Sequence, residues 1–227
     1  MVTGDEVKDV AATVRPHELH DSNGPALVAA LQRAGLTGPA PMRVKDDEDL
    51  LVRHLKRATA GHDVTIITGG VSVGQYDYVP RALRRIGARI VFHGVAMKPG
   101  KPQLYAVCGA NRHVFALPGN PLSVLTGFFE FVLPAIRRLG GAALSDCRGQ
   151  LWVPATEAIE RHPDRTRFLL GRLDHAQGRT VSVPLVCRGS ADIASAARAD
   201  GVIVVPPGSR KIRTGTAMEF RPWRSIP

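Results

Sequence analysis

The sequence predicts an α/β protein, with a three-layer, mostly parallel sheet over residues 1–144 and a small β-rich, barrel-like domain over residues 145–227. Three observations carry this expectation. Short apolar segments alternate with amphipathic ones as far as Leu139. Val64-Thr65-Ile66-Ile67-Thr68 is a β-branched run between Asp63 and Gly69, the pattern of a strand buried on both faces. After Gly140-Gly141 the chain turns to short strand candidates separated by Gly and Pro.

Taken in order, Asp21-Ser22-Asn23 offers N-cap chemistry ahead of Gly24-Pro25. Leu27, Val28, Leu31 and Ala34 then recur at helical spacing until Gly35. Residues 41–44 read as a short strand, and Asp46-Asp47-Glu48-Asp49 places carboxylates at the positive start of a second helix that Gly61 ends. The strand at 64–68 leads into a glycine loop, 69–74. Val79, Leu83 and Ile86 resume helix spacing, and 89–95 reads as a strand. Residues 104–107 and 113–117 flank a turn at Gly109-Ala110-Asn111, and a helix over about 121–139 closes the first domain. Beyond it, 152–154, 167–173, 180–186, 201–205 and 217–220 are strand candidates, with one helix at 191–199.

The formal charge of +10 invites a nucleic-acid partner, but the charge is not clustered. Residues 1–140 carry 17 Lys and Arg against 12 Asp and Glu, and residues 141–227 carry 13 against 8, so each part contributes +5. An Arg-rich solvated surface that tolerates small anions is the expectation, with no nucleic acid and no membrane. Cys108, Cys147 and Cys187 are odd in number and far apart, which suits reduced thiols rather than a disulfide framework or a metal pair. No stretch approaches the roughly 18 apolar residues needed to span a bilayer, and no signal-peptide pattern is seen, so a cytoplasmic address is expected. None of the eight histidines falls in an HExxH pattern, and His93 at a strand end reads as a hydrogen-bonded core or rim residue.

The chemistry gathers in three loops. In open α/β sheets, ligands collect where strand ends enter helices and backbone N–H groups converge on anions. Gly69, Gly70, Ser72 and Gly74 let backbone approach a phosphate, unless they are a tight structural turn. Pro118, Gly119, Asn120 and Ser123, with Pro121 at a helix start, form either a second ligand loop or a rigid strand-to-helix connection. Lys98 and Lys101, set among prolines in Lys98-Pro99-Gly100-Lys101-Pro102, suit an oxyanion better than lone solvated lysines do. Asp5, Glu6, Asp46 and Asp77 stand in companion loops. Asp46 reads alone as a helix cap and Glu6 as solvated, but together they suggest Mg²⁺ bound through carboxylates and substrate phosphates.

Thr3-Gly4-Asp5-Glu6, Asp21-Ser22-Asn23, Gly69-Gly70-Val71-Ser72-Val73-Gly74 with Asp77-Tyr78, Met97-Lys98-Pro99-Gly100-Lys101-Pro102 and Leu117-Pro118-Gly119-Asn120-Pro121-Leu122-Ser123 occur in one order. In that order and spacing the sequence resembles the MoeA/gephyrin E-domain family, closely over 1–140 and more loosely beyond. The resemblance implies a molybdopterin-binding domain that inserts molybdate into adenylylated molybdopterin with Mg²⁺ and releases AMP, in a homodimer. It implies that Asp77 is the catalytic aspartate, that Glu6 and Asp46 are further acidic site residues, and that Lys98 and Lys101 face molybdate. Ser190 in Arg188-Gly189-Ser190 is implied as the serine of the last domain. A non-catalytic molybdopterin-binding or scaffold module and a molybdopterin adenylyltransferase are the other readings. In the family two further domains and a central strand precede the Thr-Gly-Asp-Glu motif, whereas Met1 and Val2 alone precede Thr3 here. A fragment, a mis-called start or a shortened form is therefore expected, marginally stable with an open slot in its sheet and a poor or inactive transferase by itself.

Overall fold

Parallel pairing of short strands organises the first part of the chain, as the computed structural model, which describes residues 1–71, 77–176 and 178–224, makes plain. In chain order come β1 (Val2–Thr3), β2 (Val7–Lys8), β3 (Leu19–His20), α1 (Asn23–Arg33), β4 (Arg43–Val44), α2 (Glu48–Gly61) and β5 (Val64–Thr68). They are followed by α3 (Val79–Arg85), β6 (Arg89–His93), β7 (Met97–Lys98), β8 (Leu104–Cys108), β9 (Arg112–Leu117) and α4 (Pro121–Gly127). A π-helical turn at Phe128–Val132 continues into α5 (Leu133–Leu139), and a 3₁₀ turn at Leu144–Asp146 follows. The remaining elements are β10 (Leu151–Pro154), β11 (Thr166–Ala176), β12 (Arg179–Pro184), α6 (Ile193–Arg198), β13 (Gly201–Val205) and β14 (Ala217–Pro222).

The chain divides into two compact units, Met1–Val95 with Pro102–Phe128, and Ala96–Lys101 with Phe129–Pro227. These bounds differ from the single cut expected near residue 144. Residues 96–101 join the second unit because β7 pairs with β11, Met97 opposite Thr166 and Lys98 opposite Arg167. A proline-rich segment gives no sequence signal for such a pairing.

In the first unit the strand order is β4-β1-β5-β9-β8-β6. The four strands β4, β1, β5 and β9 are parallel, while β8 and β6 add an antiparallel edge through the β8–β9 hairpin. The inner position expected to stand open is held by β1, whose Val2 pairs with Arg43 and Thr68 and whose Thr3 pairs with Val44. Leu51 and Leu55 of α2, Val79 and Leu83 of α3, and Ile67, Leu104 and Val114 of the sheet form one buried apolar cluster. That burial, at about 25 cal/mol per Å² of apolar surface, is what fixes the helices on the sheet. α1 packs against α4.

The helix expected over 121–139 carries the π turn in its middle. Pro134 explains part of this: it has no N–H to give to the Glu130 carbonyl four residues earlier, and its ring crowds that oxygen. The freed Glu130 oxygen accepts from the Arg148 guanidinium instead.

The second unit has its main sheet in the order β10-β14-β13-β11-β12, with β7 added to β11. Between strands named in that order every pairing is antiparallel, and Val153, Ala155, Ile203, Val205, Met218 and Phe220 form its core. Ala155, just past β10, forms an isolated bridge with Ser182 of β12. Among the described residues, no helix is long and apolar enough to cross a membrane.

Candidate functional site

Since β4, β1, β5 and β9 are parallel neighbours, the loops after them leave the same edge of the sheet. The Thr3 hydroxyl, at the end of β1, donates to Oδ1 of Asp46 in the loop after β4. The Asp46 N–H in turn donates to Oδ1 of Asp5 at 3.1 Å. Asp46 is therefore not the cap of α2. Asp47 is, its carboxylate accepting the Leu50 N–H at 2.8 Å. The reading of Asp46 as a helix cap is corrected, because the extended backbone of Asp47 is the geometry a cap needs.

After β5, Gly69 is buried with φ +90°, and its N–H donates to the Leu117 carbonyl at 3.0 Å. A methyl group at Gly69 would collide with the Thr3 carbonyl oxygen, so only glycine lets the β1 and β5 ends close on each other. Gly70, φ +63°, accepts from the Val79 N–H at 3.3 Å, which ties it to the start of α3. His93, exposed at the rim, makes a 2.8 Å hydrogen bond from Nε2 to the Val71 carbonyl. Ser72 and Gly74 lie outside the described residues.

After β9, Pro118 is buried while Gly119 and Asn120 are exposed. A Cβ at Gly119 would lie 3.8 Å from the Gly69 Cα, so the two loops run side by side. Ser123 is 3% exposed and its carbonyl takes the Gln103 amide at 3.1 Å, which places it under the loop rather than on its open side.

Asp46, Asp5, Gly69, Gly70, Gly119 and Asn120 are thus brought to one strand-end row. Glu6 is exposed, with its carboxylate turned back toward Gly4, and Asp77 is half-buried just before α3. Among the described residues no group of three or more His, Cys, Asp or Glu could hold a metal ion, so Glu6, Asp46 and Asp77 do not form a three-ligand cage. Thr3 is the residue that sequence reasoning passed over. Its place immediately before the Gly-Asp-Glu run was the available signal.

Lys98, Lys101 and Ser190 belong to the second unit. Both lysines are exposed, at the end of β7 and just after it. Ser190 is half-buried in the loop after β12, and Asp192 organises that loop. One Asp192 oxygen accepts the Arg188 N–H at 3.1 Å, and the carboxylate also takes the Ser195 N–H at 3.0 Å and the Ser195 hydroxyl at 2.7 Å. The Arg188 backbone bond, then those from Ser195, hold the Asp192 carboxyl at about 2 against an ordinary 3.8. A depressed carboxyl stabilises the fold above its unfolded value and loses that contribution as pH falls through its folded value. Hydrogen-exchange protection at Arg188 and Ser195 should accordingly drop between pH 4 and 2, and Asp192→Asn should show the drop already at pH 7. Equal protection across that range would remove Asp192 as the organiser.

A mostly parallel sheet with glycine and proline loops at its strand ends, followed by an antiparallel unit, defines a class of α/β protein. Residues 1–138 match the family described as "Probable molybdopterin binding domain", and the chain belongs to that family. Residues 153–223 match a second family model, described as "MoeA C-terminal region (domain IV)". A molybdopterin molybdenumtransferase of Staphylococcus aureus is 31% identical over 220 residues, covering 97% of this chain and 52% of the relative. That of Staphylococcus epidermidis is 30% identical over 221 residues, covering 96% and 52%. The crystal structure of a molybdopterin biosynthesis MoeA protein from Pyrococcus horikoshii matches with a TM-score of 0.82 at 27% identity, covering 99% of this chain and 54% of that one. The chain spans about half the length of the curated relatives it matches.

Proposed function

We propose that this chain binds molybdopterin in its adenylylated form at the strand-end row of the first unit and serves the insertion of molybdate into it, with release of AMP. The observation that supports this most is the side-by-side run of the Gly69 and Gly119 loops at neighbouring strand ends. Backbone N–H groups without side chains in the way are what a phosphate-bearing ligand needs. The relatives named molybdopterin molybdenumtransferase support the reaction class.

In this reading, Gly69, Gly70, Ser72, Gly74, Gly119 and Asn120 frame the pterin and phosphate groups, the buried Pro118 and Ser123 shape the loop that carries Gly119, and Ser190 adds a hydroxyl. Asp77 is the carboxylate that positions the phosphoanhydride for cleavage, and Lys98 and Lys101 neutralise the molybdate dianion. One or two carboxylates from the set Asp46, Glu6 and Asp77 would hold Mg²⁺ together with substrate phosphates. Hard oxygen donors in ones and twos fit an ion that arrives with substrate phosphates, as Mg²⁺ does, better than an all-protein cage. When bound, the ion would lower the charge cost of a departing phosphate. Thr3 holds Asp46 in place by its hydroxyl. A cytoplasmic homodimer completes the proposal.

The test separates binding from chemistry. Asp77→Asn should retain adenylylated molybdopterin within about threefold of the parent affinity yet lower the rate of AMP release by about 100-fold or more. Loss of binding together with turnover would assign Asp77 to the framework of the loop and defeat its catalytic role.

A further inference from the structure

In the sequence Asp21-Ser22-Asn23 reads as a helix start, but neither Ser22 nor Asn23 caps α1. Ser22 makes no side-chain cap bond, and the carboxylate of Asp21 accepts the Gly24 N–H at 2.8 Å. Asn23 instead reaches across 96 residues, its Nδ2 donating to the Gly119 carbonyl at 2.7 Å. Because a carbonyl can only accept, this bond settles which end of the amide is nitrogen. Oδ1 is then the other end. It is buried, on a residue 9% exposed, and has no hydrogen-bond partner among the described residues. Buried amide oxygens are nearly always matched by a donor.

The start of α1 has little freedom to rearrange. A side chain at Gly24 would strike the Asp21 carboxylate and Pro41, and Asp21 itself is 3% exposed. At its far end the Asn23 bond holds Gly119, which runs beside Gly69.

We propose that Asn23 is a positioning residue of the ligand site: Nδ2 holds the Gly119 loop against the Gly69 loop, and Oδ1 accepts an N–H of the ligand's heterocycle. This rests on the reading of the site as one for a pterin phosphate. A pterin carries ring and amino N–H donors, whereas fully ionised phosphate and molybdate carry none, so Oδ1 selects the ring rather than the anion.

Two measurements on the 227-residue chain test it. Asn23→Asp keeps the shape and one acceptor but turns the donor into a second acceptor facing the Gly119 oxygen. Asn23→Ala removes both ends without adding a buried charge, and carries the same expectation if the aspartate variant fails to fold. Without ligand, hydrogen-exchange protection at Gly119 and Asn120 should fall by about tenfold or more while β5 keeps its own. Unchanged protection there overturns the proposal. With molybdopterin, titrated anaerobically by its pterin fluorescence, both variants should bind about tenfold or more weakly while molybdate binding stays as in the parent. Parent-like molybdopterin affinity, or equal loss for molybdate, overturns the role of Oδ1. A parent chain that binds no molybdopterin overturns the functional reading together with that role, and the exchange measurement still decides the strut.

Discussion

Gly69→Ala is expected to destabilise the first unit by about 3 kcal/mol and to abolish ligand binding. Two costs combine. Gly69 has φ +90°, where a Cβ clashes with its own backbone at a cost of about 1–2 kcal/mol. The new methyl would also meet the Thr3 carbonyl oxygen, and overpacking a closed site costs about 1–3 kcal/mol. The loop cannot swing clear, because the Gly69 N–H is tied to Leu117 on one side and Thr3 is paired to Val44 on the other. At about 2–4 °C per kcal/mol for a chain of this size, the melting temperature should fall by roughly 10 °C. Gly35→Ala is the matched control: its φ is +73°, yet nothing lies within 4 Å of an added Cβ, so it meets the backbone cost alone. If the two variants melt together, the close approach of the β1 and β5 ends is not what requires glycine at position 69.

The parts of the fold legible in the sequence are those whose local residue pattern leaves little choice of structure. Val64-Thr65-Ile66-Ile67-Thr68 announces β5 because a strand covered on both faces needs a continuous β-branched run, and the observed bounds are Val64–Thr68. Pro121 likewise marks the start of α4. Less legible are elements held by partners distant in sequence. β7 is two residues long and exists because β11 accepts it, and the pair β2 and β3 depends on Val7 meeting Leu19. The strand expected at 89–95 stops at His93, and its pairing with β8 slips between Ile90 and Phe92, an irregularity no periodicity encodes. In the site, glycines and prolines are visible because backbone conformation restricts which residue can stand there. The partners of Thr3 and Asn23 are not, since a hydroxyl or an amide reads the same in sequence whether it meets water, its own helix or a loop 96 residues away.

Glu130→Ala should cost the second unit about 3 kcal/mol or more, the largest loss expected there. Glu130 is 3% exposed in the π turn, and its carboxylate meets the Arg221 guanidinium of β14, with Arg148 at 3.8 Å. Burial pushes the Glu130 carboxyl up, and Arg221 and Arg148 pull it back down. Arg221 also binds Glu219 at 2.7 Å and is itself only 17% exposed in its side chain. Removing the acid leaves one carboxylate to match two guanidinium groups that cannot shed their protons, and breaking a buried pair from one side typically costs about 3–5 kcal/mol. The exposed side of Arg148 moderates this toward the lower figure. For a unit of this size the melting transition should shift down by more than about 10 °C. Because the penalty lies in the abandoned charge rather than in the lost attraction, Glu130→Leu with Arg221→Met should recover most of the stability that either change loses alone. A double variant as unstable as the sum of its singles would show instead that the carboxylate and guanidinium stabilise the helix end independently, each through its remaining partners.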